Sequence, residues 1–241
     1  MERLLFLFII GAIGMTLRFV ILGKFEWNQV LTLFLFPIGA IVVWFIHRWM
    51  IERDSNYKPK QIDENWNTYL GERYSTGKKL LYKGTQRKGE YHRFYQHWWQ
   101  HLFNEVIEGG GKWYMNLSFE LQGGDKIKFI EQKKKKLRFN ETWHIVQHDQ
   151  IIGKVKTDYS MKNAAKLQEG LTLEMNDKVY YFKSFGIGSE TEVLLDNKVI
   201  AKGKRSDSLR YKYHFEITEG YEELEPTLMM TYILFNYVHK Q

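Results

Sequence analysis

Glu225-Pro226-Thr227-Leu228-Met229-Met230-Thr231-Tyr232-Ile233-Leu234-Phe235-Asn236-Tyr237-Val238 is the stretch that decides the fold. Proline suits the first turn of a helix, where its missing N–H has no partner to lose. The residues after it are apolar on nearly every face. About twelve helical residues span only about 18 Å, too short for a bilayer core of about 30 Å. A helix that is hydrophobic all round has to be buried, and the chain before it offers β structure as the host. The pattern therefore predicts a β-barrel closed around a core helix over about 226–239.

The preceding residues have the matching period. Trp113 to Leu121 alternates and stops at Gly123-Gly124. Trp143-His144-Ile145-Val146 leads through His148-Asp149 to Ile151-Ile152-Gly153-Lys154-Val155. Leu171 to Met175 turns at Asn176-Asp177 into Val179-Tyr180-Tyr181-Phe182, and Glu192 to Leu195 turns at Asp196-Asn197 into Val199-Ile200-Ala201-Lys202. Tyr211 to Ile217 is the last of these runs. Short β-rich runs closed by Asx turns at intervals of about 8–12 residues predict an antiparallel barrel or sandwich built of hairpins. Asp149–Lys156 and Asp196–Lys204 echo each other.

These paired Asp-x-Ile/Val-Ile-Gly/Ala-Lys strands, the Tyr211–Ile217 strand and the apolar helix after Glu225-Pro226 resemble the tubby-like C-terminal domain superfamily. It includes tubby proteins, phospholipid scramblases and LURP-one-related proteins. The resemblance covers about 112–241 and implies a roughly twelve-stranded barrel around a central hydrophobic helix. It also implies lipid-linked activity. The palmitoylated cysteines of some relatives have no counterpart here, because the chain has no cysteine.

Upstream, Lys78 to Tyr82 reads as a strand that opens the barrel domain at 78–241. Phe94, Trp98, His101, Leu102, Glu105 and Val106 fall at helical spacing, so about 90–108 is read as an amphipathic helical insertion ending at Gly109-Gly110-Gly111. Residues 51–77, of mixed charge and with Pro59, read as a juxtamembrane linker.

The first fifty residues read as two transmembrane helices, at about 4–23 and 30–46. Leu4 to Gly23 is interrupted only by Thr16 and Arg18, and Val30 to Ile46 carries no charge. Such runs approach the bilayer core in length, and Trp27, Trp44 and Trp49 sit near their ends, where indoles favour the interface. A cleaved signal peptide does not fit, because a second long run follows and Leu17-Arg18-Phe19 is no cleavage site. Two buried core helices do not fit runs of this length without a polar face. Arg18, about a turn from the helix end, is read as snorkelling rather than as an intramembrane functional charge. Pro37 is expected to kink the second span. The link carries Lys24 alone, whereas Arg3 precedes the pair and Arg48, Arg53, Lys58 and Lys60 follow it. Both termini are therefore expected in the cytoplasm, with the protein multi-pass in the cell membrane.

Composition limits the chemistry. In 241 residues, Lys+Arg 35 against Asp+Glu 28 give a formal net charge of +7, and mean hydropathy is −0.44 despite the greasy first fifty residues. At 44% hydrophobic and 16% aromatic residues the chain is expected to fold. The lack of cysteine excludes disulfides, thiolate metal sites and cysteine nucleophiles. His97 and His101 stand at i, i+4, but Trp98 occupies the place of the glutamate in a metalloprotease motif and no third ligand follows. Gly109–Lys112 follows a predicted helix and precedes a strand, the reverse of a phosphate loop. The sequons at Asn116 and Asn140 would be inert in the cytoplasm. No catalytic residue, metal site or cofactor is expected.

One charged feature rises above background: Lys133-Lys134-Lys135-Lys136 with Arg138, beside apolar Phe129-Ile130 and Leu137 and Phe139. A second group is Lys202, Lys204 and Arg205, with Arg210 and Lys212. Near an anionic leaflet each such residue contributes about 1 kcal/mol. Membrane tethering argues against nucleic acid. The expectation is a non-enzymatic protein whose barrel binds anionic phospholipid headgroups at the inner leaflet. The alternative is a protein-interaction scaffold or an immunity or stress-response membrane protein. Scramblase activity is a third reading, and the sequence names no protein partner.

Overall fold

The computed structural model describes residues 2–23, 26–59, 64–71, 73, 75–104, 114–132, 140–185, 190–205 and 212–239. The chain divides into two compact units, residues 1–52 with 95–114, and residues 53–94 with 115–241.

The first unit contains α1 (Glu2–Leu22) and most of α2 (Trp27–Ser55). Both are long and apolar enough to cross a membrane. No residue of α1 is buried, and most of its apolar side chains are exposed. The helices meet closely at Gly11, where a Cβ would come 2.5 Å from Leu33 Cδ1. Arg18 reaches the link, donating from Nη1 to Gln29 (2.9 Å) and pairing through Nη2 with Glu26 (2.5 Å). Pro37 lies inside α2. That helix runs beyond the apolar run through Ser55, into the residues expected as linker, because ordinary helix formers continue it and Arg48 lies over the Trp44 ring.

The second unit is a closed antiparallel barrel of twelve strands, each bonded to its chain neighbours, with the last paired to the first. The strands are β1 (Trp66–Tyr69), β2 (Lys79–Lys83), β3 (Gln86–Phe94), β4 (Asn116–Leu121), β5 (Lys126–Glu131) and β6 (Thr142–Gln147). They continue as β7 (Gln150–Thr157), β8 (Glu169–Met175), β9 (Lys178–Ser184), β10 (Thr191–Leu195), β11 (Lys198–Arg205) and β12 (Lys212–Ile217). Between β3 and β4 stands α3 (Trp98–Phe103), and between β7 and β8 stands α4 (Met161–Ala165). Alternation sends Leu117 and Phe119, Leu171 and Leu173, Tyr180 and Phe182, and Tyr213 and Phe215 inward.

They close on α5 (Glu225–His239), buried from Leu228 to Val238. Two of its buried polar side chains bond within the helix: Thr231 Oγ1 donates to the Thr227 carbonyl (2.9 Å) and Asn236 Nδ2 to that of Tyr232 (2.7 Å). Glu225 at the helix start pairs with Lys83 (2.6 Å). The expected core helix and barrel are thus both present.

The Asx turns are two-residue hairpins with both central residues at positive φ: His148-Asp149, Asn176-Asp177 and Asp196-Asn197. That is the twist that matches paired strands. The internal echo has a structural counterpart. β7 and β11 each leave such a turn and each carry the extra residue of a bulge, Ile152 opposite Ile145/Val146 and Ile200 opposite Val193/Leu194.

Two sequence expectations need correction. The linker of residues 51–77 contains β1, which pairs with both β12 and β2 and closes the ring. Four residues are too short for a periodic signal, and β1 is set by its neighbours. The helix expected over 90–108 is strand up to Phe94, with all of Gly89–Phe94 paired to β4, and helical only at Trp98–Phe103. Tyr91 and Arg93 are buried and the residues between them are half-buried. The strand period was hidden because Glu90, His92 and Arg93 also fit a helix face. Residues 105–113 lie outside the described residues, Gly109–Gly111 among them.

Candidate functional site

Antiparallel winding gives the barrel two unlike rims. At the hairpin rim lie the tight turns 84–85, 122–125, 148–149, 176–177 and 196–197 and the start of α5. At the loop rim lie the opposite strand ends, where β1, β3, β5, β7, β9 and β11 finish and β2, β4, β6, β8, β10 and β12 begin. The end of α5 reaches the loop rim: Arg73 Nη1 donates to the Asn236 carbonyl (3.2 Å), and His239 Nδ1 lies 3.8 Å from Glu169. A guanidinium on the last carbonyls suits the negative end of the helix dipole.

Of the two predicted basic groups, Lys202, Lys204 and Arg205 belong to the loop-rim half of β11. Lys202 and Lys204 face outward from β11 at alternate positions, and both are exposed. Lys202 Nζ is held 2.6 Å from Glu190 Oε1, and that hydrogen bond raises its pKa. Arg205, half-buried, ends β11 opposite Tyr213. Lys133, Lys134, Lys135, Lys136 and Arg138 lie outside the described residues, between β5 and β6. Glu131, at the end of β5, accepts from the Met115 backbone N–H (2.7 Å), and Trp143 in β6 donates from its indole to the Met115 carbonyl (2.7 Å). These contacts fix the base from which the lysine-rich connection departs.

In the closed strand order, β7 to β10 separate β11 from the β5/β6 pair one way, and β12 with β1 to β4 the other. The end of β11 and the facing ends of β5 and β6 therefore lie on opposite sides of the loop rim, a separation for a planar surface rather than a single small headgroup.

The imidazoles belong to the first unit. His97 precedes α3, where Gln100 Oε1 accepts from the backbone N–H groups of Gln96 (2.9 Å) and His97 (3.2 Å). His101 Nδ1 lies 3.9 Å from Glu2 Oε1, and its ring is edge-on to Tyr95. Among the described residues no three His, Asp or Glu side chains gather as a metal site.

Sequence reasoning missed two features of the loop rim. Lys79 and Asp54 are both fully buried and lie 4.0 Å apart, with Lys79 Nζ also donating to the Gly77 carbonyl (3.3 Å). Within the 158–168 connection, Met161 and Leu167 are exposed although apolar. Neither gives a sequence signal, because pairing and exposure both follow from the strand order.

The family model of the Tubby C-terminal like domain matches residues 69–239, well over half the chain. No curated protein and no solved structure matches the chain.

Proposed function

The chain belongs to the Tubby C-terminal like domain family, and from that premise we propose that it is a membrane-anchored, non-catalytic protein whose barrel engages anionic phospholipid headgroups. In this reading α1 and α2 cross the cell membrane, both termini are cytoplasmic, and the barrel is held beside the inner leaflet. Tethering keeps the local lipid concentration high, so individually weak contacts suffice. The observation that supports the reading is the outward placement of Lys202 and Lys204 on β11, with the ends of β5 and β6, which bound the lysine run in sequence, across the same rim. That separation suits a charged plane rather than a pocket. Each cation near an anionic surface contributes about 1 kcal/mol, and the attraction is screened by salt. The barrel interior is filled by α5 and serves the fold.

The test uses the full chain in vesicles of phosphatidylcholine with phosphatidylserine. A cysteine at Gln132, beside the lysine run, carries a fluorophore. Spin-labelled phosphatidylserine is expected to quench it more than spin-labelled phosphatidylcholine, and added salt should reduce the difference. K133E/K134E/K135E/K136E should abolish the preference without altering thermal unfolding. Equal quenching by the two lipids in the wild type removes the headgroup reading and favours a protein-interaction scaffold.

A further inference from the structure

We propose that the loop rim is the barrel's membrane-contact face and that Met161 and Leu167 insert their side chains into the lipid interface there; this rests on the membrane-anchored reading above. Met161 is 90% exposed and Leu167 82%, more than any large apolar side chain of α1 or α2, where the highest is Ile21 at 75%. Exposed apolar residues scattered singly on a surface need no explanation. These two share one short connection and are held outward by a built loop.

Asn163, buried at the centre of that connection, donates from Nδ2 to Asp158 Oδ2 and to the Tyr181 hydroxyl, both at 2.8 Å. Tyr181 in turn donates to Asp158 Oδ2 at 3.0 Å. The Asn163 carbonyl accepts from the backbone N–H groups of Lys166 (3.1 Å) and Gln168 (2.9 Å). Leu167, between those two, is fixed at φ +51°. Among the described non-glycine residues at positive φ it is the only aliphatic one. A branched side chain in the left-handed region costs free energy that an Asn or Gly there would avoid. The loop thus holds an apolar side chain out into solvent against its backbone preference, with exposed Lys166 beside it for the headgroup layer.

In the membrane-anchored reading, the chain path favours this rim. The chain crosses between its two units at 52–53, 94–95 and 114–115. The barrel-side residues at all three crossings stand at the loop rim: Arg53 lies over the Tyr69 ring, Phe94 pairs with Asn116, and the Met115 carbonyl accepts from Trp143. The first of these is the direct continuation of the apolar helix α2. The hairpin rim is a poorer candidate. Its exposed aliphatics, Ile151 and Val179, are β-branched residues at outward strand positions, where such side chains are usual. The start of α5 also places Glu219, Glu222 and Glu223 there, charges that an anionic leaflet repels.

The full chain, which has no native cysteine, is labelled at Lys166→Cys or at Gln150→Cys on the hairpin rim and placed in phosphatidylcholine–phosphatidylserine vesicles. Lipids spin-labelled high on the acyl chain should quench the fluorophore at 166 and leave that at 150 unchanged. M161D/L167D, which alters only exposed side chains, should keep the thermal unfolding profile and lose the quenching at 166. Quenching equal at both positions, or unchanged in M161D/L167D, overturns the inference. A label at 166 that is never quenched also overturns it and leaves the apolar pair as a contact for a protein partner. Insertion that persists in pure phosphatidylcholine, without preference for phosphatidylserine, supports the inference while removing the anionic-headgroup reading. Preference at Gln132 with no quenching at 166 does the reverse.

Discussion

Lys79 and Asp54 show how much a single buried charge matters at the loop rim. Neither is accessible, and Asp54 belongs to the last turn of α2 while Lys79 opens β2. Around them Arg53 covers the Tyr69 ring, and Tyr57 stacks on Tyr69 with its edge to Tyr82. The carboxylate thereby pins the end of α2 against the start of β2. A Cβ at Gly71 would lie 2.7 Å from Asp54 Oδ1, so this glycine gives the carboxylate its room. Lys79→Met removes one charge and leaves the other buried, which is expected to destabilise the barrel by about 3–5 kcal/mol. The paired replacement Lys79→Met with Asp54→Leu is expected to recover most of that loss, since the desolvation of both ions is then removed as well. Thermal unfolding of the full chain in detergent measures both. A single variant as stable as the wild type contradicts the role assigned to the pair.

At the scale of elements, α5 and β11 depend on each other through an absent side chain. A Cβ on Gly203 would come 2.3 Å from Tyr232 Cε2. The Tyr232 ring has nowhere to go, being stacked on Phe215 at 5.1 Å and set edgewise to Tyr213 at 6.4 Å. Burial also pushes its hydroxyl pKa up. Gly203→Ala is therefore expected to cost about 1–3 kcal/mol as overpacking, although alanine is otherwise the milder residue in a chain. A denaturant series on the full chain reads it, and an unchanged midpoint would place Tyr232 elsewhere than against β11. The same packing explains which elements the sequence revealed. The helix 225–239 was legible because nothing but burial accommodates so many apolar faces, and the Asx hairpins because their turn residues select positive φ locally. β1 and the strand half of 86–94 were not legible. Their state is set by the strands on either side, and residues such as Glu90 and His92 suit either period.

For the whole molecule, the proposed topology is tested by sidedness. A cysteine at Asn28, near the start of α2, is expected to react with an impermeant thiol reagent in intact cells, and one at Gln150 only after permeabilisation. The reverse pattern would invert the topology and put the basic rim on the wrong side for the inner leaflet. The sequence by itself determined the fold class, the buried closing helix, the hairpin turns and the two apolar helices. These rest on local signals, namely period, length, turn residues and the cost of exposing apolar surface. The lysine run and the 202–205 cations were also visible as residues, but not their relation. Only the tertiary structure decided that β11 and the β5/β6 pair, which bounds the lysine run in sequence, stand on opposite sides of one rim, that Asp54 at the end of α2 meets Lys79, and that Met161 and Leu167 are left outside. Such pairings join residues distant along the chain, and no local preference encodes which ends of twelve strands will share a rim.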